Sequence, residues 1–309
     1  MNNSQLVSVC VITYNSSLTI VETLESVKNQ SYKNIELIIS DDCSTDNTVS
    51  ICQQWLSECK DRFLNSKVVF TDCNKGISGN INRAVSEANG SWLKLIAGDD
   101  ILLPDCIQYY VNQIVFFQNT SIFLSKVQPF QVAANGIKHL EVTNNYGNEI
   151  AYFNKLSAYD QCRYLLQEGG NILAAPTLFI QADLLRQYPY NESYRYMEDY
   201  PQWVRLTDKG YSIKILADVT VLYRKSNSIS RSCNTYYSYR LLETKNLYFW
   251  AEKLSLLKKY NCEKGYNETK RLFLATTLID GLTNNRKTLF NNIRVAIILL
   301  LTKFIKFKL

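Results

Sequence analysis

Two hydrophobic patterns alternate along the first hundred residues of the chain. Short apolar runs have the length of buried strands, and each is followed by a segment whose apolar residues recur about every three positions, as on one face of a helix. The runs span residues 6–15, 35–40, 67–73 and 91–98. Four such repeats predict an α/β fold, in which a doubly wound and mostly parallel sheet carries flanking helices.

The pattern is less regular after residue 104. Residues 171–185 indicate a strand followed by a helix, and residues 212–226 indicate one or two further strands. Beyond about Ser232 the pattern is helical. The predicted domains are therefore an α/β domain at 1–231, with halves at about 1–104 and 105–231, and a helical C-terminal extension at 232–309.

Polar residues stand directly after each of the four predicted strands. Open α/β sheets bind ligands in the crevice outside the carboxyl ends of their strands. We therefore expect these side chains to converge on one ligand site, against the alternative that they belong to four unrelated solvated turns. The polar clusters are Tyr14 with Asn15, Asp41 with Asp42, Asn74 with Gly76, and Asp99 with Asp100.

Two adjacent carboxylates, Asp99 and Asp100, end the apolar run "WLKLIAG". Like charges at this spacing repel and favour a cation or a hydrogen-bond donor nearby. Mg²⁺ and Mn²⁺ bind through oxygen ligands, and Mg²⁺ typically takes one or two carboxylates together with substrate phosphates. The pair therefore indicates a divalent-cation site. The alternative is an exposed turn in which one aspartate caps the helix that follows Pro104.

A second acidic pair, Glu198–Asp199, precedes a segment with the apolar residues Trp203, Val204 and Leu206. A carboxylate held beside a partly apolar wall can act as a general base. The alternative is the ordinary stabilisation of a helix N-terminus by acidic residues.

The composition narrows the choice of partners. A formal net charge of +6, without an arginine-rich run or zinc-finger spacing, predicts no nucleic-acid partner but suits an anionic nucleotide or an anionic membrane. The nine cysteines include no CxxC pair, and the first residues lack the basic segment and cleavage site of a signal peptide. We therefore expect free, mostly buried thiols in a cytoplasmic protein.

The C-terminal segment Ile293–Leu309 combines an apolar run with basic residues. The uninterrupted run Val295–Leu301 is much shorter than the ~20 residues that span a bilayer. An amphipathic helix lying in a membrane interface fits this pattern, and so does a helix packed on the domain. The surrounding basic residues are Arg294, Lys303, Lys306 and Lys308.

Six motifs give the chain a specific resemblance. In order they are "VSVCVITYN", "ELIISDDCSTDNT", "NKGISGNINRAV", "WLKLIAGDDILLP", "APTLFI" and "MEDYPQWVRL". Their order and spacing resemble those of the family 2 inverting glycosyltransferases with the GT-A fold, of the kind that builds bacterial surface polysaccharides such as O-antigen and capsule. The motifs cover about residues 6–230, and "YRKSNSIS" (Tyr223–Ser230) is similar to the closing segment of the family.

The resemblance implies a nucleotide-sugar donor site at the strand ends. Tyr14 would lie against the nucleotide base, and Asp42 would accept a hydrogen bond from a base of the uracil type. The other positions that match the donor site of the family are Thr13, Asn15, Asp41, Asn74, Gly76 and Asn82.

The resemblance also implies the catalytic groups. Asp99 would be the ligand of an Mg²⁺ or Mn²⁺ ion, with Asp100 as the neighbouring acid and Arg224 near the diphosphate. Asp199 matches the general base that deprotonates the acceptor hydroxyl, and Glu198 is the second candidate for that role.

The chain departs from the family at two points. Ala97 stands where the family carries the first aspartate of its DxD motif, which leaves the usual ribose contact in doubt. No histidine follows Arg224, although the family usually has one there, and Lys225 and Asn227 are the candidates for its contact.

The expected activity is a single inverting displacement. A sugar would pass from a nucleotide-sugar, with UDP the expected carrier over GDP or dTDP, to a hydroxyl of a lipid-linked oligosaccharide at the inner face of a bacterial inner membrane. The alternatives are a nucleotidyltransferase, which would release pyrophosphate, and a non-catalytic binding protein. A processive synthase is disfavoured because the chain has neither several membrane spans nor a QxxRW element.

Overall fold

The computed structural model describes residues 5–133, 136–140, 146–194, 198–225, 249–283, 289–303 and 305. The strands of this part are β1 Val7–Thr13, β2 Ile35–Asp41, β3 Asn65–Phe70, β4 Trp92–Ala97, β5 Ile101–Leu102, β6 Ile122–Ala133, β7 Gly136–His139, β8 Phe179–Gln181 and β9 Ile213–Arg224. Its helices are α1 Ile20–Lys28, α2 Thr48–Cys59, α3 Gly76–Glu87, α4 Cys106–Phe116, α5 Gly147–Phe153, α6 Ala158–Glu168, α7 Ala182–Gln187, α8 Asp199–Asp208, α9 Phe249–Lys259, α10 Glu263–Thr283 and α11 Leu289–Lys303.

The described strands form one mixed sheet in the order β3-β2-β1-β4-β8-β6-β9-β5, with β7 paired to β6. The first four strands are parallel and joined by helices, so the predicted α/β fold with its parallel strands and flanking helices is confirmed. Strand β8 then runs antiparallel to β4, while β6 and β9 are parallel to each other.

The register of the parallel strands brings their carboxyl ends to one level. Thr13 at the end of β1 pairs with Asp41 at the end of β2, and Ile12 pairs with Ala97 at the end of β4. Strand β9 reaches the same edge from the other half of the sheet, because it pairs with the short β5 that directly follows the two aspartates. The topology therefore gathers several polar strand ends in one place.

Both faces of the sheet are buried, as is usual for parallel strands covered by helices. Along β1, Cys10 belongs to the buried cluster on one face, while Val9 and Val11 belong to the cluster on the other. The first cluster also contains Leu257 of α9 and Tyr266 of α10, so these C-terminal helices share its core. The predicted domain boundary at 231/232 lies outside the described residues and stays a prediction.

Candidate active site

The end of β1 leads into a loop that is held by side-chain hydrogen bonds. Asn15 has a positive φ of 49°, its backbone nitrogen donates to Ser44 Oγ at 2.7 Å, and its Oδ1 accepts from the backbone nitrogen of Thr45 at 2.8 Å. The Asp41 carboxylate accepts from the Ser44 backbone nitrogen at 2.8 Å. Asn15 and Asp41 therefore shape the loop, beside which the ring of Tyr14 stays 43% exposed and open to a ligand.

Thr13 lies beneath this loop rather than at its surface. Its side chain is 2% exposed, and its hydroxyl oxygen has no hydrogen-bond partner among the described residues. A Cβ atom on Gly98 would come within 2.9 Å of that oxygen, so only glycine lets the ends of β1 and β4 approach this closely.

Asp42 is almost completely buried at the end of β2, where it binds the start of α3. Its carboxylate accepts from the backbone nitrogens of Lys75 at 3.0 Å and Gly76 at 2.8 Å, and it forms an ion pair with Arg83 at 3.2 Å. Asn74 also donates from its side chain to the Asp42 carbonyl at 3.1 Å. A carboxylate has about four acceptor positions, so Asp42 keeps about one for a donor group on a ligand.

Arg83 was not recognised as a candidate from the sequence, although it lies inside the motif "NKGISGNINRAV". Besides its ion pair with Asp42, its Nη1 donates to the Asp41 carbonyl at 2.8 Å and to Asn80 Oδ1 at 3.0 Å. These bonds fix α3 against the end of β2. The available signal was a basic residue about two turns into the helix that begins after Asn74.

Arg224, at the end of β9, explains how two adjacent aspartates are accommodated at the end of β4. Its backbone nitrogen donates to Asp100 Oδ1 at 2.9 Å, and its Nε donates to the Asp99 carbonyl at 2.7 Å. Its guanidinium also pairs with Glu22 and lies over the ring of Phe130. The structure thus brings Asp99, Asp100 and Arg224 together, and their roles toward a metal ion and a diphosphate stay predictions.

The two carboxyl groups differ in their electrostatics. Burial, with a smaller contribution from the charge of Asp99, raises the pKa of Asp100 to about 7. Burial also raises the pKa of Asp99, although the charge of Arg224 opposes the shift. Two buried, mutually repelling carboxylates are a place where a divalent cation would be stabilising.

The residues at this strand end fit a cation that arrives with a substrate. The described residues contain no group of three or more His, Cys, Asp and Glu side chains that could hold a metal. No donor of another described residue hydrogen-bonds the Asp99 carboxylate, whereas Asp100 already binds Arg224. One or two carboxylates completed by phosphate oxygens are the usual environment of Mg²⁺, so Asp99 and Asp100 suit an ion that shares a diphosphate.

Lys94 is a buried cation near this pair that the sequence analysis passed over. It lies in β4, its Nζ donates to the carbonyls of Leu95 and Pro176 at 2.6 Å each, and burial lowers its pKa to about 8. Its charge favours the ionised form of Asp100. A lysine inside an otherwise apolar strand is the only sequence signal for this role.

The second acidic pair lies at the start of α8, where Asp199 borders a cavity of about 330 Å³. Asp199 lines this cavity, and its Oδ1 accepts from the backbone nitrogen of Tyr200 at 2.7 Å. Glu198 is half-buried directly before the helix. The other parts of the wall are residues 169–171, Tyr200, Trp203 and Lys253.

Lys253 is the feature of this cavity that sequence reasoning missed. It comes from α9, outside the predicted α/β domain, and its Nζ lies 5.2 Å from the ring centre of Tyr200. Burial lowers the pKa of its amine to about 8, although the charge of Glu268 opposes the shift. No local sequence pattern could have placed it beside Asp199, since the two are 54 positions apart.

Helix α3 contacts the segment that precedes the second acidic pair. Its Ser78 donates to the Tyr194 carbonyl at 3.0 Å, and both ends of the Asn82 amide bond the backbone of Tyr190 at 2.9 Å. Burial and then the charges of Glu198 and Asp199 raise the pKa of Tyr190. The structure thus gives Asn82 a linking contact, and its part in a donor pocket stays a prediction.

The two departures noted in the sequence have different outcomes. Ala97 is exposed at the end of β4 and offers no carboxylate there. Lys225 donates its backbone nitrogen to the Phe130 carbonyl at 2.8 Å, and its amine lies over the ring of Tyr223. Asn227 and the rest of the closing segment lie outside the described residues.

Comparison with known proteins adds evidence that the geometry alone lacks. The model of "Glycosyl transferase family 2" matches residues 8–167. In the curated proteins, the chain is 28% identical over 227 residues to the "UDP-Glc:alpha-D-GlcNAc-diphosphoundecaprenol beta-1,3-glucosyltransferase WfaP" of Escherichia coli, covering 71% of this chain and 77% of that protein.

Two solved structures share the fold. TarS 1–349 of S. aureus in complex with UDP-GlcNAc matches with a TM-score of 0.60 at 18% identity, over 94% of this chain and 83% of that one. The mannosyltransferase PcManGT from Pyrobaculum calidifontis, in complex with GDP-Man and Mn²⁺, matches with a TM-score of 0.58 at 15% identity, over 97% and 81%.

Proposed function

The chain belongs to glycosyl transferase family 2, and from this premise we propose that it moves one sugar from a UDP-sugar to a hydroxyl of a lipid-linked saccharide, with inversion at the anomeric carbon. The observation that carries the proposal is the arrangement of two acidic sites. One lies at the strand ends beside an exposed aromatic ring, and the other borders a cavity at the start of α8.

The proposed donor site lies at the ends of β1, β2 and β4. The exposed ring of Tyr14 offers a face on which a nucleotide base can stack. Asp42 keeps an acceptor position that suits an N–H of the base. The relative WfaP is named for UDP-Glc and the neighbour TarS was solved with UDP-GlcNAc, which supports UDP as the carrier.

Asp99, with Asp100 beside it, would hold an Mg²⁺ or Mn²⁺ ion that neutralises charge on the donor diphosphate. The neighbour PcManGT was solved with Mn²⁺, which supports a divalent ion in this fold. Arg224 holds the two aspartates in place through its backbone nitrogen and Nε.

Asp199 is the proposed general base. In the displacement, Asp199 takes the proton of the acceptor hydroxyl while that oxygen bonds to the anomeric carbon. The bond between this carbon and the diphosphate breaks, and its electron pair leaves with the nucleoside diphosphate. Because attack and departure occur on opposite faces, the configuration inverts. The cavity beside Asp199 provides room for an acceptor sugar, and Glu198 is the second candidate for the base.

We propose bacterial surface-polysaccharide assembly as the setting, on the support of the diphosphoundecaprenol substrate in the name of WfaP. A competing nucleotidyltransferase would release pyrophosphate instead of a nucleoside diphosphate. The test is to supply the purified protein with UDP-, GDP- and dTDP-sugars together with a saccharide-diphospholipid and Mn²⁺. We expect UDP to be released and one sugar to be added to the acceptor. The anomeric configuration of the new linkage should be opposite to that of the sugar in the donor. Pyrophosphate release, or nucleotide binding without turnover, would overturn the proposal.

The C-terminal helices carry an apolar surface that suits contact with a lipid bilayer. In the described residues, no helix combines the length and the apolar character needed to cross a membrane. Helices α10 and α11 instead expose large apolar side chains, and α11 also carries Arg294. The exposed residues are Leu272, Phe273, Leu278, Leu282, Ile293, Ile297, Leu300 and Leu301. We therefore propose that this surface binds an anionic membrane peripherally.

A vesicle flotation experiment tests the membrane contact. We expect the protein to float with vesicles that contain anionic lipid, and the double variant Ile297→Asp, Leu301→Asp to lose binding by about tenfold or more, because charged groups replace apolar area in the interface. The matched control is Val115→Asp, Phe116→Asp, which alters equally exposed apolar residues on α4. Equal flotation of both double variants would contradict the proposed surface.

A further inference from the structure

The cavity beside Asp199 contains a positive charge that the proposed displacement does not use. Lys253 lines the same cavity as the proposed base, yet it belongs to α9 and not to the sheet that holds the donor site. Its amine lies against the ring of Tyr200, 5.2 Å from the ring centre. A cation in this position must interact with whatever enters the cavity.

The position of Lys253 is fixed by the contacts of its helix. In α9, Glu252 accepts a hydrogen bond from the hydroxyl of Tyr194 at 2.8 Å, and Lys259 pairs with Asp208 of α8 at 2.6 Å. Leu257 is fully buried in the core cluster that also contains α6 and α8 residues. Lys253 and Asp199 therefore line the same cavity from two different helices.

A lipid-linked acceptor carries a negative charge close to its reacting hydroxyl. In a saccharide-diphospholipid, a phosphate is attached to the reducing end of the sugar. When the acceptor is a single sugar, its reacting hydroxyl and this phosphate are separated by one ring. A site that places the hydroxyl at a base must therefore receive the phosphate within the breadth of a sugar, and a cavity of about 330 Å³ has room for both.

On the proposed transferase function, we infer that Lys253 binds the phosphate at the reducing end of the acceptor sugar, so that the cavity selects anionic, diphosphate-linked acceptors. The half-buried amine loses hydration, which disfavours its charged form and lowers its pKa to about 8. The charge of Glu268 opposes this shift, and an incoming phosphate would add to that opposing effect. Lysine is a common partner for phosphate groups.

The experiment compares two acceptors that differ only in the phosphate. One is a sugar linked through diphosphate to an alkyl chain, and the other is the same sugar as a neutral alkyl glycoside. With wild-type protein, we expect a kcat/KM at least about tenfold higher for the diphosphate acceptor, since a charge-assisted hydrogen bond contributes about this much. Equal kcat/KM values would overturn the inference and leave the transferase function standing.

Variants of Lys253 then distinguish binding of the acceptor phosphate from a general effect on the structure of the cavity. Lys253→Ala should raise KM for the diphosphate acceptor by about 10–100-fold, while KM for the neutral acceptor and for the donor changes by less than about twofold. Lys253→Arg should restore most of the affinity, and Lys258→Ala, an exposed lysine of the same helix, should have no effect. An equal rise in KM for both acceptors would show a purely structural role and overturn the inference. If neither acceptor is glycosylated while the donor still binds, the proposed acceptor class itself fails.

Discussion

Replacement of Asp199 by asparagine is expected to lower kcat by about 10²–10⁴ while nucleotide binding stays unchanged, because a general base contributes about this factor and the variant cannot accept the proton of the acceptor hydroxyl. The substitution is nearly isosteric, and Asn can still accept the 2.7 Å bond from the Tyr200 backbone nitrogen. The fold should therefore survive, with a loss of no more than about 1 kcal/mol from the changed charge at the start of α8. Steady-state turnover and calorimetric titration with UDP measure the two effects separately.

The matched control is Asp183→Asn, which makes the same chemical change at an exposed carboxylate of α7. It should leave kcat within about twofold of the wild-type value, as expected for a surface substitution. Glu198→Gln decides between the two candidates for the base. If Glu198→Gln abolishes turnover and Asp199→Asn does not, the base is Glu198 and the assignment of Asp199 is wrong.

Replacement of Asp99 by asparagine should remove the metal-dependent part of donor binding. We expect Mn²⁺ to strengthen UDP binding by the wild-type protein, and this gain to fall by at least about tenfold in the variant, since a neutral amide is a much weaker ligand for a hard cation. Binding of UDP without metal should not weaken, because the variant also removes a negative charge facing the diphosphate. Titration of UDP with and without Mn²⁺ gives both affinities.

Asp105→Asn is the control for this experiment, since Asp105 is an exposed acid six positions further along the chain. In this variant, Mn²⁺ should strengthen UDP binding by the same factor as in the wild-type protein. An Asp99→Asn protein that kept the full gain from Mn²⁺ would show that the ion is held elsewhere. The remaining candidate would then be Asp100, whose carboxylate already receives the backbone nitrogen of Arg224.

The parallel half of the sheet could be predicted because its strands are buried on both faces and therefore appear as continuous apolar runs. Prediction of β3 was less accurate: the strand ends at Phe70, three residues before the predicted end, because it lies at the edge of the sheet and is mostly half-buried. Strand β6 was not predicted, since Pro129 and polar residues interrupt its pattern. Pro129 pairs with Tyr223 of β9, and it lies just before Phe130, where the pairing of β6 with β7 begins.

The candidate site divides in the same way. The carboxylates at the strand ends could be found because they directly follow apolar runs that have the length of buried strands. The contacts that hold them could not, because the partners are distant in sequence. Arg83 reaches Asp42 across 41 positions, and the bond between Arg224 and Asp100 spans 124, although the resemblance already implied that Arg224 belongs to the site. Only the folded sheet shows that these residues meet. The same limit applies to Lys253, whose neighbourhood is created by the packing of α9 on α6 and by the ion pair of Lys259 with Asp208 of α8.

The proposed donor and acceptor sites are built from different parts of the sequence. The donor-type loops lie within the first hundred or so residues, whereas the cavity beside Asp199 takes a side chain from a helix some 50 positions beyond the acidic pair. On the proposed function, exchange of the C-terminal helices between related enzymes would alter which acceptor is chosen without disturbing which nucleotide-sugar is used. Surface polysaccharides could then diversify by recombining the ends of such chains while their beginnings stay constant.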